Sequence, residues 1–219
     1  MYFASRMQAG RMLANQLVPK YRYEDCAVIA LDDGGVIVGA QIAMQLHSIL
    51  MMLMSKEINL PREIEAIGAI AQDGSFTYNH GSFADVEISD LMGEYFGFME
   101  QEKLNRIQEL HHLVGSGGII KKNHIRGRNI ILVSDGFKSG FKLEIALNYL
   151  KPMQIEKIIV ATPLASVKAV DLLHVKADDL YCLSVIENYM DNDHYYDAKD
   201  VPDHKKIIEI IEKVIVNWQ

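Results

Sequence analysis

The chain has 219 residues, 49% of them hydrophobic and 23% charged, which suits one compact domain and excludes a disordered or collagen-like chain. The formal net charge of −7 disfavours bulk electrostatic attraction to nucleic acid, so we expect no nucleic-acid partner. No apolar run reaches about 18 residues and no secretory signal is visible, so we expect a cytoplasmic protein with no membrane partner.

Short apolar runs alternate with helical patterns, which is typical of a parallel sheet covered by helices on both faces. A first helix is predicted from about Ala4 to Leu17. Continuous apolar runs at Cys26–Leu31 and Ile49–Met54 flank a helix predicted from Val36 to about His47, which together form a βαβ unit. The later pattern predicts strands at Asn129–Val133, Lys157–Ala161 and Leu180–Ile186, and helices at Phe141–Leu150, from Pro163 to about His174, and from about His204 to Val216.

The middle of the chain has a different pattern and is predicted to be an insertion, at about residues 62–118, in a single domain spanning 1–219. Ala66–Ala71 and Ser75–Tyr78 predict two short strands around an Asp-Gly turn. One long helix is predicted from Asp90 to Leu113, followed by a glycine-rich break at Gly115–Gly118. The two cysteines, Cys26 and Cys182, lie in apolar strand-like runs, so they are predicted to be core thiols rather than parts of a disulfide scaffold.

The loop Ser134–Lys142, between a buried strand and a helix, is the strongest candidate for chemistry. In open parallel sheets, ligands bind at the carboxyl ends of the strands, and free N–H groups at a helix N-terminus favour an anion. The loop also carries the Ser139 hydroxyl and the two lysines Lys138 and Lys142. Asp135, at the strand end, is placed to hold sugar hydroxyls or hydrated Mg²⁺. The alternative is an ordinary turn with two solvated lysines.

A second candidate loop, Asp32–Gly35, combines two carboxylates with two glycines. Adjacent carboxylates repel an anion unless a divalent cation bridges them, so one interpretation is metal-assisted binding of pyrophosphate. The other interpretation is a helix N-cap, because Asp is favoured at that position.

Several segments, in order along the chain, resemble the type I phosphoribosyltransferase family. Val133–Gly140 resembles the family's phosphoribosyl-pyrophosphate signature, and Leu31–Val36 resembles the pyrophosphate loop of one bacterial branch. Ser55–Pro61 resembles that branch's segment after the second strand. Gly68–Ala71 matches its Gly-Ala-Ile-Ala stretch, and Tyr189–Asp197 echoes its late aromatic and acidic segment.

The resemblance implies an α/β fold with an open parallel sheet flanked by helices, an inserted flap and helix region, and a small hood. It implies an enzyme that, with Mg²⁺, exchanges the pyrophosphate of phosphoribosyl pyrophosphate for a nitrogen base. Asp135 and Lys138 are the implied catalytic residues, and Asp135 is also the implied metal ligand. The implied substrate-binding residues are Ser134, Gly136, Phe137, Ser139, Gly140, Phe141, Lys142, Asp33, Gly34, Gly35 and Lys56.

The chain departs from the family pattern mainly in the pyrophosphate half of the site. Ser134 replaces the first acidic residue of the signature, and Asp32-Asp33 replaces Pro-Arg. Lys142 replaces a usual hydroxyl residue, and Glu57 replaces a basic one. These changes leave open a second hypothesis, a non-catalytic regulatory protein on the same fold that binds a nucleoside monophosphate or phosphosugar.

The family resemblance also predicts a hood, formed by the N-terminal helix and residues 187–203, and a homodimer. An aromatic cluster at Tyr189–Tyr196 lies in the predicted hood. It is interpreted either as a surface that stacks on a base or as ordinary packing beneath a loop.

Overall fold

A computed structural model describes residues 2–114, 120 and 122–216 of the chain. The strands in this part are β1 (Cys26–Ala30), β2 (Ile49–Met52), β3 (Ser55–Ile58), β4 (Gly68–Ala71), β5 (Phe76–Tyr78), β6 (Asn129–Val133), β7 (Lys157–Ser166) and β8 (Asp179–Ile186). The α-helices are α1 (Arg6–Tyr21), α2 (Asp33–Leu46), α3 (Asp85–Glu94), α4 (Phe96–Val114), α5 (Phe141–Leu150), α6 (Val167–Lys176) and α7 (His204–Val216).

Five parallel strands form the central sheet, in the order β2-β1-β6-β7-β8. Every residue of β1 and β6 is buried, because helices cover both faces of the sheet. On one face Val28 and Ile131 pack with α1, α2 and α7. On the other face Ile29 and Leu132 pack with α5 and α6. The predicted α/β class with an open parallel sheet is confirmed.

The chain between β2 and β6 forms an additional layer. Strands β3, β4 and β5 make an antiparallel sheet, and α3 and α4 pack beside it around a small core that includes Ile58 and Met99. Strand β3 is missing from the sequence prediction, because Ser-Lys-Glu-Ile lacks a continuous apolar run. The prediction of one long helix from Asp90 to Leu113 is also wrong. Two helices, α3 and α4, meet at Tyr95, whose backbone is not helical. The predicted break at Gly115–Gly118 lies outside the described residues.

The predicted helix starting at Pro163 is a further correction. Pro163 lies inside β7, and α6 starts four residues later with Ser166 as its N-cap. The ladder between β7 and β6 ends at Ala161, so Pro163, which has no N–H, lies beyond it. Burial of the whole Val-Ala-Thr-Pro-Leu-Ala stretch favours continued strand over helix.

The N-terminal segment pairs with the chain near residue 196, about 190 residues later. Phe3 forms a parallel bridge with Tyr196, and its backbone exchanges hydrogen bonds with Tyr195 and Asp197. Residues 187–203 thereby lie against α1 and the carboxyl edge of the sheet; we call them the hood segment. They pack on a small apolar cluster that includes Leu164.

Cys26 and Cys182 are both free thiols, as predicted. Burial raises the pKa of Cys26 to about 11, so its thiol stays protonated at neutral pH. Among the described residues, no helix is both long and apolar enough to cross a membrane.

Candidate functional site

The site lies where β1 and β6 end side by side. After β1 the chain moves outward to β2, and after β6 it moves the other way to β7, so a crevice opens between their carboxyl ends. The Leu31 amide donates to the Val133 carbonyl at 2.8 Å, and the Ser134 hydroxyl donates to the Asp32 carboxylate. The two loops singled out in the sequence are therefore in direct contact.

The first half of the Ser134–Lys142 loop is anchored to β7. The Phe137 side chain is fully buried, its amide donates to Leu164, and its carbonyl accepts from Ser166. The Ser166 hydroxyl also donates to the carbonyl of Lys138 at 2.8 Å. These contacts fix the path of the loop up to the start of α5.

The second half of the loop has unused donors. In the described part of the chain, the amides of Lys138, Ser139 and Gly140 donate to no acceptor, and Lys138 and Ser139 are exposed. Helix α5 starts at the next residue, with Gly140 as its N-cap. Free amides beside a helix N-terminus and a lysine are the arrangement that binds phosphate groups. These three amides are thus available to an anion, and we call Lys138, Ser139 and Gly140 the phosphate cradle.

Asp135, directly after β6, is buried and its carboxylate is fully engaged. The Arg6 Nε donates to one carboxylate oxygen at 2.7 Å, and the Asn192 amide donates to the other. The Tyr196 hydroxyl donates to the Asp135 carbonyl at 2.6 Å. The protein's own side chains therefore occupy the group predicted to hold ribose or Mg²⁺.

Arg6, the first residue of α1, links this carboxylate to the hood segment. Its guanidinium is 1% exposed, contacts Asp193, lies 3.1 Å from Asp200 and stacks 4.3 Å from the ring centre of Tyr196. Together with Asp135, three carboxylates surround one cation. Such a buried group is stable only while its partners stay in place.

The sequence interpretation missed Arg6, its partners Asp193 and Asp200, and Asn192, which bonds Asp135. A signal was present, because Arg6 lies one turn before Ala9 and two turns before Leu13 on the buried face of α1. A charged residue on such a face needs a buried partner, but the sequence does not show which carboxylates supply it.

The Asp32 carboxylate caps helix α2 and pairs with Lys142. It accepts a hydrogen bond from the Gly35 amide at 2.6 Å and lies 2.6 Å from the Lys142 ammonium. Burial is the largest single influence on the pKa of Asp32 and acts to raise it. Lys142, Ser134 and the Gly35 amide together outweigh burial, so the pKa lies below its ordinary value. The N-cap interpretation of this loop is confirmed, and Gly34 and Gly35 lie in the first turn of the helix.

Both glycines are required by close packing. A Cβ on Gly34 would overlap the Asp135 carboxylate, and one on Gly35 would come within 2.7 Å of the Val133 carbonyl. Gly136 lies beneath Tyr189, where a Cβ would overlap the Tyr189 hydroxyl. The space above Asp135 and Gly136 is thus filled by the hood segment.

Two cavities adjoin the crevice and share Asp32, Asp33 and Lys142. The first, about 450 Å³, is bordered by Arg6, Gly34, Asp135 and the hood segment. The second, about 440 Å³, extends toward β3 and includes Lys56. The structure therefore brings Asp33, Gly34, Lys56, Asp135 and Lys142 together. Of the other predicted residues, Ser134, Gly136, Phe137 and Phe141 are buried, Lys138 and Ser139 are exposed on the loop, and Gly140 is buried beside Leu172.

The described residues of the crevice contain no preformed cluster of metal-binding side chains. Within residues 2–114, 120 and 122–216, no group of three or more His, Cys, Asp or Glu side chains is arranged to hold a metal. Two carboxylates at the crevice are paired with cations, Asp32 with Lys142 and Asp135 with Arg6. Because Mg²⁺ usually binds through one or two carboxylates together with water and substrate oxygens, the predicted Mg²⁺ stays a prediction.

The pKa of Asp135 leads to a pH prediction. Burial, followed by the nearby Asp32, raises the pKa of Asp135 to about 6, although Lys142 and Arg6 act in the opposite direction. A carboxyl whose pKa is higher in the folded state contributes most to stability below its unfolded pKa, and that contribution is lost as the pH rises through about 6. Between pH 4 and 7 we expect this group to lower the free energy of unfolding by about 1–3 kcal/mol.

Urea unfolding of the wild type and Asp135→Asn at several pH values measures this effect. The difference in the free energy of unfolding between the wild type and Asp135→Asn should change between pH 4 and pH 7. Asp171→Asn, an exposed position on α6, serves as the control and should show no such change. A pH-independent difference for Asp135→Asn would contradict a raised pKa.

No family model matches the chain. Two Mycobacterium tuberculosis proteins, from strains CDC 1551 / Oshkosh and ATCC 25618 / H37Rv, carry the name "Putative phosphoribosyl transferase" and are 26% identical over 187 residues, or 83% of this chain. The chain spans only 40% of the length of these relatives.

A solved structure shows the same fold over the whole chain. The protein TT1426 from Thermus thermophilus superposes with a TM-score of 0.71 at 23% identity, covering 100% of this chain and 99% of that one. This likeness shows a shared fold. The name of the mycobacterial relatives agrees with the family resemblance found in the motifs. The site roles, Mg²⁺, the homodimer and the cytoplasmic location stay predictions.

Proposed function

We propose that this chain, which has the fold of the type I phosphoribosyltransferases, is a phosphoribosyltransferase-type protein that binds the 5′-phosphate of phosphoribosyl pyrophosphate. The observation that carries the proposal is the set of unused amides at Lys138, Ser139 and Gly140, beside the start of α5. They belong to the loop that leaves the carboxyl end of β6, the edge of the sheet at which ligands of such folds bind. The name of the mycobacterial relatives supports the same activity.

In this proposal the chain transfers a phosphoribosyl group to a nitrogen base. A base nitrogen forms a bond to C1 of the sugar, and the bond from C1 to the pyrophosphate oxygen breaks, with the electron pair leaving on pyrophosphate. Mg²⁺ enters this proposal as the complex of the substrate's pyrophosphate, whose negative charge it would neutralise. Asp135 is placed to accept from the sugar hydroxyls once Asn192 releases it.

Lys138→Glu tests the cradle. Reversal of the charge beside the free amides should weaken phosphoribosyl pyrophosphate binding at least about tenfold, which is about 1.4 kcal/mol. Calorimetric titration with and without Mg²⁺ measures the affinity. Lys151→Glu is the matched control, since it makes the same charge change at the far end of α5 and should leave the affinity almost unchanged. Absence of binding by the wild type at millimolar phosphoribosyl pyrophosphate would contradict the proposed phosphate cradle.

Transfer itself is measured as pyrophosphate released from phosphoribosyl pyrophosphate in the presence of a panel of nitrogen bases. Release that depends on both a base and Lys138 supports the enzymatic function. Binding without release favours the second candidate.

That second candidate is a non-catalytic protein that binds a nucleoside monophosphate or phosphosugar. It is favoured by one specific observation: Asp135 is occupied by Arg6 and Asn192, and the neighbouring loop carries Asp32 and Asp33 where a pyrophosphate would lie. A ligand without pyrophosphate meets less repulsion there. The midpoint of thermal unfolding, measured with adenosine monophosphate and with phosphoribosyl pyrophosphate, separates the two candidates. A larger rise with adenosine monophosphate supports the non-catalytic protein, and a larger rise with phosphoribosyl pyrophosphate supports the transferase.

A further inference from the structure

Two side chains of the hood segment, Tyr189 and Asn192, cover the chain just after β6. The Asn192 amide donates to one carboxylate oxygen of Asp135, and the Tyr189 hydroxyl donates to the Asn192 amide oxygen at 2.7 Å. Both side chains lie against Gly136, where an added Cβ would come within 2.8 Å of the Asn192 oxygen and closer still to the Tyr189 hydroxyl. We call Tyr189 and Asn192 the latch, because they close the space above Asp135 and Gly136.

Asn192 gives Asp135 the same kind of hydrogen bond that a sugar hydroxyl would give. An amide N–H and a hydroxyl are both neutral donors, and an ionised carboxylate only accepts. The second carboxylate oxygen accepts from Arg6, whose guanidinium is buried and stacks on Tyr196. Arg6 stays in place, because a buried carboxylate without its cation is strongly unfavourable. A ligand hydroxyl that reaches the buried Asp135 must therefore replace Asn192.

The latch lies on a stretch of chain that is mostly exposed. Every residue from 187 to 194 is exposed except Tyr189 and Asn192, which are half-buried. The stretch lies between the end of β8 and the buried Tyr195. Segments with few buried contacts open locally at a low cost in free energy. The latch can thus move away from Asp135 while the central sheet stays folded.

One ion pair opposes this movement. Asp193, the neighbour of Asn192, contacts Arg6 and separates from it when the stretch opens. The Asp193 side chain is 54% exposed, so this pair is partly solvated and contributes little to stability. Arg6 keeps Asp135 and Asp200, at 2.7 and 3.1 Å. The buried cation therefore stays paired when the latch opens.

We infer that the latch is an autoinhibitory contact, which keeps the sugar part of a ligand away from Asp135 until residues 187–194 move aside. The inference rests on the proposed function, in which Asp135 accepts from the sugar hydroxyls. The phosphate cradle stays accessible in the closed state, because Lys138 and Ser139 are exposed. The latch therefore controls the sugar end of the ligand and not its phosphate. The measured affinity for the whole ligand is the intrinsic affinity multiplied by the fraction of molecules in which the latch is open.

Asn192→Ala removes the competing donor and tests the inference. By calorimetry, phosphoribosyl pyrophosphate with Mg²⁺ should bind this variant about tenfold more tightly than the wild type. Stopped-flow mixing should show that most of the gain is faster association, because the latch delays entry of the ligand. Inorganic phosphate, which needs only the phosphate cradle, should bind both proteins equally. Asn188→Ala is the matched control, because Asn188 is an exposed residue of the same stretch, and it should bind both ligands as the wild type does.

Tyr189→Phe gives a second test, which keeps the ring and removes only the hydroxyl that holds Asn192. It should tighten the binding of phosphoribosyl pyrophosphate roughly threefold, less than Asn192→Ala does, because the Asn192 donor remains. This variant carries the test if Asn192→Ala does not fold.

The outcomes separate the latch from the proposed function. If the wild type binds phosphoribosyl pyrophosphate and Asn192→Ala binds it equally or more weakly, the inference is overturned and the proposed function is not. A gain of the same size in Asn188→Ala, or for inorganic phosphate, also overturns the inference, because the stretch would then have loosened as a whole. Absence of phosphoribosyl pyrophosphate binding in both the wild type and Asn192→Ala overturns the proposed function and the inference with it.

Discussion

Arg6→Leu is expected to lower the free energy of unfolding by about 3–5 kcal/mol, because it leaves the buried Asp135 carboxylate without its cation. For a chain of this length, the midpoint of thermal unfolding should fall by roughly 6–20 °C. Asp193 and Asp200 lose the same partner, so the hood segment should detach first. Hydrogen exchange should show faster exchange of the Tyr196 and Asp197 amides than in wild type.

Two further variants show whether the effect comes from the buried guanidinium. Arg11 lies in the same helix but is exposed and bonds Gln41, so Arg11→Leu should change stability by less than about 1 kcal/mol. Arg6→Lys keeps the charge but loses the forked geometry, and it should fall between wild type and Arg6→Leu. Equal losses of unfolding free energy in Arg6→Leu and Arg11→Leu would show that the buried Arg6 contributes no more to stability than an exposed arginine.

Lys142→Met is expected to have the second largest effect, through Asp32 rather than through Lys142 itself. Without the ammonium, burial dominates at Asp32 and its pKa rises from below to above the ordinary value. In wild type, Asp32 contributes stability that is lost as the pH falls; in the variant, stability is lost instead as the pH rises through the raised pKa. The deficit relative to wild type should therefore grow from pH 4 to pH 8.

The magnitude at neutral pH should be about 1.5–3 kcal/mol, less than for a fully buried pair, because 36% of the Lys142 side chain is exposed. Urea unfolding across this pH range measures it. The double variant Asp32→Asn with Lys142→Met removes both charges and should recover most of the loss. A deficit that is the same at every pH, or that the double variant does not recover, would mean that lost packing rather than an unpaired charge is responsible.

The central sheet and the loop after β6 could be predicted because their signals are local. Strands β1 and β6 are continuous apolar runs, and a glycine-containing turn follows each one. The preference of Asp for the N-cap likewise supplied one of the two interpretations of Asp32, because an N-cap bonds an amide only three residues away. Such features depend on short-range backbone chemistry, which the sequence displays directly.

The occupied state of Asp135 could not be predicted, because it depends on contacts between distant residues. Arg6 and Asn192 lie 129 and 57 residues from Asp135 along the chain. Strand β3 and the continuation of β7 through Pro163 also depend on a partner strand rather than on their own composition. The sequence therefore indicated the edge of the sheet at which we propose that the ligand binds, but not how the hood segment contacts Asp135.

The partners of Arg6 also affect how the protein reaches its native state during synthesis. The guanidinium belongs to the first turn of the first helix, but Asp193 and Asp200 are 187 and 194 residues further on. A ribosome adds about 5–20 residues per second, so α1 waits on the order of ten seconds or more before its cation can be enclosed. During that interval Arg6 lacks its two partners in the hood segment, so we expect the cluster around Asp135 to be the last part of this edge to assemble.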